Sequence, residues 1–224
     1  MFSTGQKSEE LITYLQKRRS CSLKNMGTRA PSKEEIEQII SIATRVPDHG
    51  KLCPWYFIVF EGEARQEVGK HLRQAYAAED PEASPAKLDL EAERFLRAPL
   101  VILAVSHIRH ANKPVWEQIL SSGAACYNLY LAANALGYGT NWLSEWYSYN
   151  DVFKNAIGLD KHDHIAGAIY IGNVEQEPEE RPRPEINEIL TYWSEGKSIQ
   201  KGDIYDSQKP VIPTKGFTFP SDFR

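Results

Sequence analysis

The sequence predicts a single domain of the α+β or α/β class, with one sheet surrounded by helices. Three observations lead there. Strand-like apolar runs are few, at 55–60, 100–105 and 165–171, while helical stretches are many. The two alternate without regular βαβ repetition. No internal repeat, low-complexity tract or composition shift divides the chain.

The elements follow in order. Ser8 opens a short amphipathic helix in which Leu11, Ile12 and Leu15 recur at helical spacing, and the pattern ends near Arg18-Arg19-Ser20. Ser32 and Glu35 form a capping-box pattern after Pro31. The helix behind it carries Ile36, Ile39, Ile40 and Ala43 on one face and stops by Val46, because Pro47 disfavours helical geometry there. Trp55 to Phe60 is aromatic and β-branched, hence a strand, and Glu61-Gly62 turns the chain. A polar helix spans about 64–76. The charged, proline-containing stretch 79–85 is an exposed loop, and another helical stretch ends before Pro99.

Leu100 to Val105 is continuously apolar, which fits a strand covered on both faces. The longest helix is expected over about 116–136. Its centre, Ala124 to Ala135, is apolar nearly all round, so it reads as buried, often against another helix. Gly137 and Gly139 end it. A short strand follows at 140–143, then a brief helix capped by Asn150-Asp151 and ending at Gly158. Ile165 to Ile171 is a further strand. Beyond Gly172 the chain turns Pro- and Glu-rich, with a short helix around Ile186 and Ile189. The last thirty or so residues lack a core pattern and read as an arm, so the expected division is 1–193 and 194–224.

The chain has 224 residues, enough for a substantial core, with 42% hydrophobic and 25% charged residues. A formal net charge of -4 has the wrong sign for neutralising many nucleic-acid phosphates, so no nucleic acid is expected as partner. Three cysteines without CxxC spacing argue against a disulfide framework or structural zinc. No apolar leader or membrane-length run is visible, so a cytoplasmic protein without a membrane partner is expected.

Three segments carry candidate chemistry. Arg18, Arg19 and Ser20 supply guanidinium forks and a hydroxyl suited to a phosphate, although arginines in a last turn also complement the helix dipole. The stretch from Arg45 to Trp55 sets Arg45, His49 and Lys51 on an irregular loop fixed by two prolines and a glycine, where a plain connection is the competing reading. Gly137 to Ser144 offers glycines for close backbone approach to a flat ligand, or simply a helix stop. Neither GxGxxG, GxxxxGK[ST] nor GxSxG is present. His107 with His110, and His162 with His164, read as solvated turn residues, and no metal site is expected.

Taken in register, these segments resemble the nitroreductase family, especially its short bacterial members. The match uses Arg18-Arg19-Ser20, Pro47-Asp48-His49 with Pro54-Trp55, the Ala-rich helix from Ser121 to Leu136, Gly137-Tyr138-Gly139 with Trp142-Leu143-Ser144, and Ile171-Gly172-Asn173. It runs from about residue 8 to 190. The resemblance implies an α+β flavoprotein with a central, mostly antiparallel sheet flanked by helices, in a domain-embracing homodimer with two FMN molecules at the interface. It implies that Arg18, Arg19 and Ser20 hold the phosphate and ribityl end. Arg45, His49 and Lys51 would reach the cofactor, the first two from the neighbouring chain. Trp142, Leu143 and Ser144 would line the flavin, and Arg183, or else Arg181, would be the basic residue after the last strand. The implied activity is hydride transfer from NADH or NADPH to a small organic acceptor such as a nitroaromatic or quinone. No catalytic side chain is assigned. Flavin binding without turnover, or other flavin chemistry on the same scaffold, are the alternatives. The sequence departs from many relatives at Cys53, where they carry Gln or Asn, and at Lys51, where they carry a small or amide residue.

Overall fold

The computed structural model describes residues 5–199. Residues 5–178 form one compact unit, and 179–199 belong to a second. Most of the expected arm therefore lies outside the described residues.

The first unit is built on four strands, β1 (Trp55–Glu61), β2 (Leu100–His107), β3 (Gly139–Leu143) and β4 (Asp163–Gly172). Their spatial order is β1-β2-β4-β3, and every neighbouring pair is antiparallel. The expected α+β class with an antiparallel sheet is what the chain forms. Six helices belong to this unit: α1 (Glu9–Lys17), α2 (Lys33–Ala43), α3 (Ala64–Glu79), α4 (Pro85–Ala92), α5 (Val115–Ala135) and α6 (Asp151–Ala156). The second unit holds α7 (Ile186–Ile189).

Caps read from sequence are formed. Ser8 accepts from the Leu11 amide, Ser32 and Glu35 close a reciprocal capping box, and Asn150 accepts from the Phe153 amide. Gly137, at φ 87°, takes the left-handed turn after α5.

β2 is apolar from Leu100 to Val105 because each face meets a separate core. Leu100, Ile102 and Ala104 pack with Ile36 and Ile39 of α2 and Cys126, Leu129 and Ala133 of α5. Val101, Leu103 and Val105 face Val68 and Leu72 of α3 and the aromatic group around Phe95. The two faces alternate with the strand period of two. In β4 the alternation slips. Ile165 shares a face with Ala168 and Tyr170, because the register shifts opposite Ala104 and Val105 and leaves Ala166 as an extra residue.

The long helix departs from its expected burial. Ala125, Cys126, Leu129 and Ala133 are fully enclosed, but Trp116, Leu120 and Tyr127 are 43%, 52% and 42% exposed. One side of α5 thus belongs to the core, while the other carries an apolar stripe that the described residues leave exposed. Leu11, Ile12 and Leu15 of α1 are likewise exposed, so the amphipathic face read from sequence points away from the core of its own chain.

Candidate functional site

α5 serves as a ruler for the predicted site residues. Near its C-terminal half, Arg18 ends α1, its amide returning to the Tyr14 carbonyl at 2.9 Å. The Arg18 guanidinium carbon lies 5.0 Å from the Tyr130 ring centre and 5.8 Å from that of Tyr127, two rings of α5. Cation–π contact of this kind fixes the direction of a guanidinium without consuming its N–H donors. The Tyr14 hydroxyl donates to the Leu131 carbonyl at 3.4 Å, tying α1 to the same stretch. Past Ser20 the chain is stitched to β3: the Cys21 amide donates to Thr140 O at 2.9 Å, and Asn141 Nδ2 donates to Cys21 O at 2.8 Å.

Lys17, Arg18, Arg19, Cys21 and Gly139 share a cleft of about 140 Å³, with Glu177 as its one carboxylate. Three cations against one anion suit a phosphate. The volume admits such a group. Burial first, then Glu177, pushes the Cys21 thiol up, so it stays protonated there. Ser20 is exposed beside this cleft rather than lining it.

Arg45 follows α2, and its carbonyl accepts from Asn128 Nδ2 at 3.0 Å, at mid-height on α5. The loop behind it reaches the N-terminal end. His49 Nδ1 pairs with Glu117 of α5. Ser121 Oγ donates to Pro47 O at 2.7 Å and accepts from Trp55 Nε1 at 3.1 Å. From Glu117 to Tyr130, α5 rises about 20 Å. Within one chain, then, the structure gathers Arg18 and Arg19 at one end and His49 and Lys51 at the other. The loop is strained, because Lys51 (φ 55°) and Cys53 (φ 47°) occupy the left-handed region, at a cost of about 1 kcal/mol or more each.

Trp142 and Leu143 end β3, and Ser144 follows it. Trp142 is partly exposed, and its indole N–H donates at 3.2 Å to the carbonyl of Ala166, the extra residue of β4. The ring lies directly on Gly167, where a Cβ would sit 2.0 Å from Trp142 Nε1. Arg183 lies in the second unit, where it donates to Arg181 O at 3.2 Å and pairs with Glu180 at 3.4 Å.

Sequence reasoning missed a partly buried ionic cluster beside the β3 exit. Glu145 accepts from Arg94 at 2.9 Å and from Arg97 at 3.1 Å, and Arg97 also donates to the Tyr170 hydroxyl at 2.9 Å. Glu91 is fully enclosed and receives Arg94, Lys87 and the Trp146 indole. Burial alone would raise its carboxyl pKa, but bonds from Arg94, Lys87 and Trp146 outweigh it and hold the group at about 2. The i,i+3 spacing of Glu91 and Arg94 was a visible signal. The partner at Glu145 was not.

His107 is bonded to Asp163 at 2.7 Å. His107, Asp160 and Asp163 bring possible ligand atoms within 4.8 Å of one another. Both Asp163 oxygens are engaged, by His107 and by the Asp160 amide at 2.9 Å, so the group is a closed hydrogen-bonded unit. Cys126 is the small core residue expected, its thiol pushed up to about 12 by burial. Among the described residues no helix is long and apolar enough to cross a membrane.

A family model described as the nitroreductase family matches residues 15–173. A Haemophilus influenzae protein named "Putative NAD(P)H nitroreductase" is 35% identical over 82% of this chain and 99% of its own length. An Escherichia coli K12 relative of the same description is 33% identical over 73% of this chain and 87% of its own. Among solved structures, a nitroreductase-like family protein from Bacillus cereus superposes with a TM-score of 0.73 at 24% identity, covering 86% of this chain and 99% of that one. A Desulfovibrio desulfuricans "putative nitroreductase in complex with FMN" superposes with a TM-score of 0.64 at 22% identity, over 84% and 99%. At these identities the solved structures speak for the fold.

Proposed function

Because the chain belongs to the nitroreductase family, we propose that it is a cytoplasmic homodimeric oxidoreductase that uses FMN to pass hydride from NADH or NADPH to a small organic acceptor. Each FMN is seated by both chains. The observation that carries this reading is the separation along α5: a phosphate-sized cationic cleft at Arg18 and Arg19, a cationic loop at His49 and Lys51 about 20 Å away, and an uncovered apolar stripe on the same helix. A second copy related by a two-fold axis covers its own stripe and brings the loop of one chain toward the cleft of the other.

The roles follow from the local geometry. Lys17, Arg18 and Arg19 hold the phosphate, with Tyr127 and Tyr130 aiming Arg18. Trp142, pinned on Gly167, gives a rigid wall for the ring together with Leu143 and Ser144. His49 and Lys51 come from the other chain, with Arg45 beside them. FMN, when bound, supplies the redox chemistry itself. The side chains orient it, keep water from one face and place positive charge where negative charge develops. No covalent or acid–base side chain is required. Reductant and acceptor use one ring face in turn, so double-reciprocal plots against the two substrates run parallel.

The test is direct. Purified protein is expected to take up FMN, turn yellow and bleach with NADH or NADPH, then regain colour with a quinone or nitroaromatic. Failure to take up FMN refutes the reading, and uptake without bleaching identifies a flavin-binding protein without turnover.

A further inference from the structure

Asp48 has no role in the function just proposed, yet it makes some of the most specific contacts of the loop. One carboxylate oxygen accepts from the Leu52 amide at 3.0 Å and the other from the Cys53 amide at 2.8 Å. The Lys51 amide turns back to the Asp48 carbonyl at 3.2 Å. Between these bonds the backbone takes φ values of 82°, 55° and 47° at Gly50, Lys51 and Cys53. Glycine enters that region freely, whereas lysine and cysteine are held there against contacts of their own Cβ. A carboxylate bonded to two amides is a strong local clamp. The turn is also braced outside, since a Cβ at Gly50 would meet Lys113 Cε at 3.2 Å and His49 is paired with Glu117. The exposed Lys51 side chain therefore leaves from a turn fixed on two sides. Backbone strain retained in this way is a pointer to function.

Resting on the FMN reading above, we propose that Asp48 is a positioning residue. Its carboxylate locks the left-handed turn so that the Lys51 ammonium is presented to the flavin seated with the partner chain, where it stabilises the negative charge gained on reduction. Asp48 acts through Lys51 and does not itself meet the cofactor. The two things Asp48 brings, a negative charge and a geometry, act with opposite signs. Removing only the charge makes the flavin easier to reduce. Removing the acceptor atoms frees Lys51 and makes it harder.

The experiment compares FMN-loaded full-length Lys51→Met, Asp48→Asn, Asp48→Ala and the Asp48→Ala/Lys51→Met double variant. Flavin reduction is read at equilibrium against a redox dye. Reactivity of the exposed Cys53 thiol toward a disulfide reagent reports on the turn without reference to flavin. Lys51→Met is expected to shift the dye equilibrium toward oxidised flavin by roughly threefold to tenfold, the size of one partly solvated charge. Asp48→Asn retains an acceptor oxygen and stays near the parent or shifts the opposite way. Asp48→Ala follows Lys51→Met, the double variant goes no further than Lys51→Met alone, and Cys53 reactivity changes only in the two variants that carry Asp48→Ala. If Asp48→Ala unfolds, Asp48→Ala/Cys53→Gly, with one strained residue relaxed, carries the redox comparison against Cys53→Gly, without the thiol readout. An unmoved equilibrium in Lys51→Met, additive effects in the double variant, or easier reduction in Asp48→Ala overturns the proposal while FMN binding stands. A chain that takes up no FMN at all overturns the functional reading and this proposal together.

Discussion

Gly167→Ala is the substitution whose cost can be worked most closely from the structure. The added methyl would lie 2.0 Å from Trp142 Nε1, 2.5 Å from Cδ1 and 3.0 Å from Cε2, so the indole must leave. Two losses follow. The bond from Nε1 to Ala166 O goes, worth about 1 kcal/mol net. The ring also gives up its packing on β4. With 37% of Trp142 exposed, on the order of 100 Å² of apolar surface returns to water, about 2 kcal/mol. Restricting the unfolded chain returns about 0.5 kcal/mol. The net expectation is roughly 2–3 kcal/mol, or a fall of about 1 M in the urea midpoint. Unfolding of FMN-free protein, followed by circular dichroism, measures it without ligand linkage. In a Trp142→Ala background the same change should cost almost nothing, because the clash partner is gone. A cost below about 0.5 kcal/mol in the parent, or an equal cost in both backgrounds, would refute the reasoning.

Three further outcomes are expected. Glu91→Gln leaves Arg94 and Lys87 without their buried anion and should destabilise by about 3 kcal/mol or more. The Glu91 carboxyl is held at about 2 when folded, against an ordinary carboxyl value of 4.5, so its contribution is complete above about 4.5 and fades as pH falls toward 2. Acid titrations of stability should therefore be shallower in the variant over that window. Arg18→Ala removes the proposed phosphate donor and a contact with Tyr130, and fluorescence titration should show FMN affinity reduced by tenfold or more with little change in melting temperature. Leu120→Asp puts a charge on the uncovered stripe of α5; light scattering should find monomers of normal circular dichroism that no longer retain FMN.

Much of the fold could be read in advance because local chemistry decides it. Ser32 with Glu35, Pro47 after α2, and Gly137 after α5 mark ends that the folded chain uses. β2 declared itself through six apolar residues in a row. The β4 bulge stayed hidden, because Ala166-Gly167 differs from an ordinary strand dipeptide only through the Trp142 ring lying on it. Glu145 stayed hidden for the same reason, its arginines standing roughly fifty residues away in sequence. The exposed side of α5 misled because an apolar helix side reads the same in sequence whether or not its own chain covers it. For the proposed site, the sequence pointed to Arg18, Arg19 and Ser20, and the fold sets the two arginines in one cleft. Only the fold shows that Ser20 stands beside it and that His49 and Lys51 lie at the far end of α5.

The central claim is that one FMN is held by two chains, and subunit complementation tests it most directly. Arg18→Ala/Arg19→Ala spoils one half of each site, and His49→Ala/Lys51→Met the other; alone, each is expected to hold FMN poorly. Unfolded together and refolded as mixed dimers, half the assemblies should be hybrids carrying one undamaged site, restoring about a quarter of the parent's FMN capacity. No recovery on mixing, with hybrids demonstrably formed, would mean that each site is built within a single chain and would contradict the account.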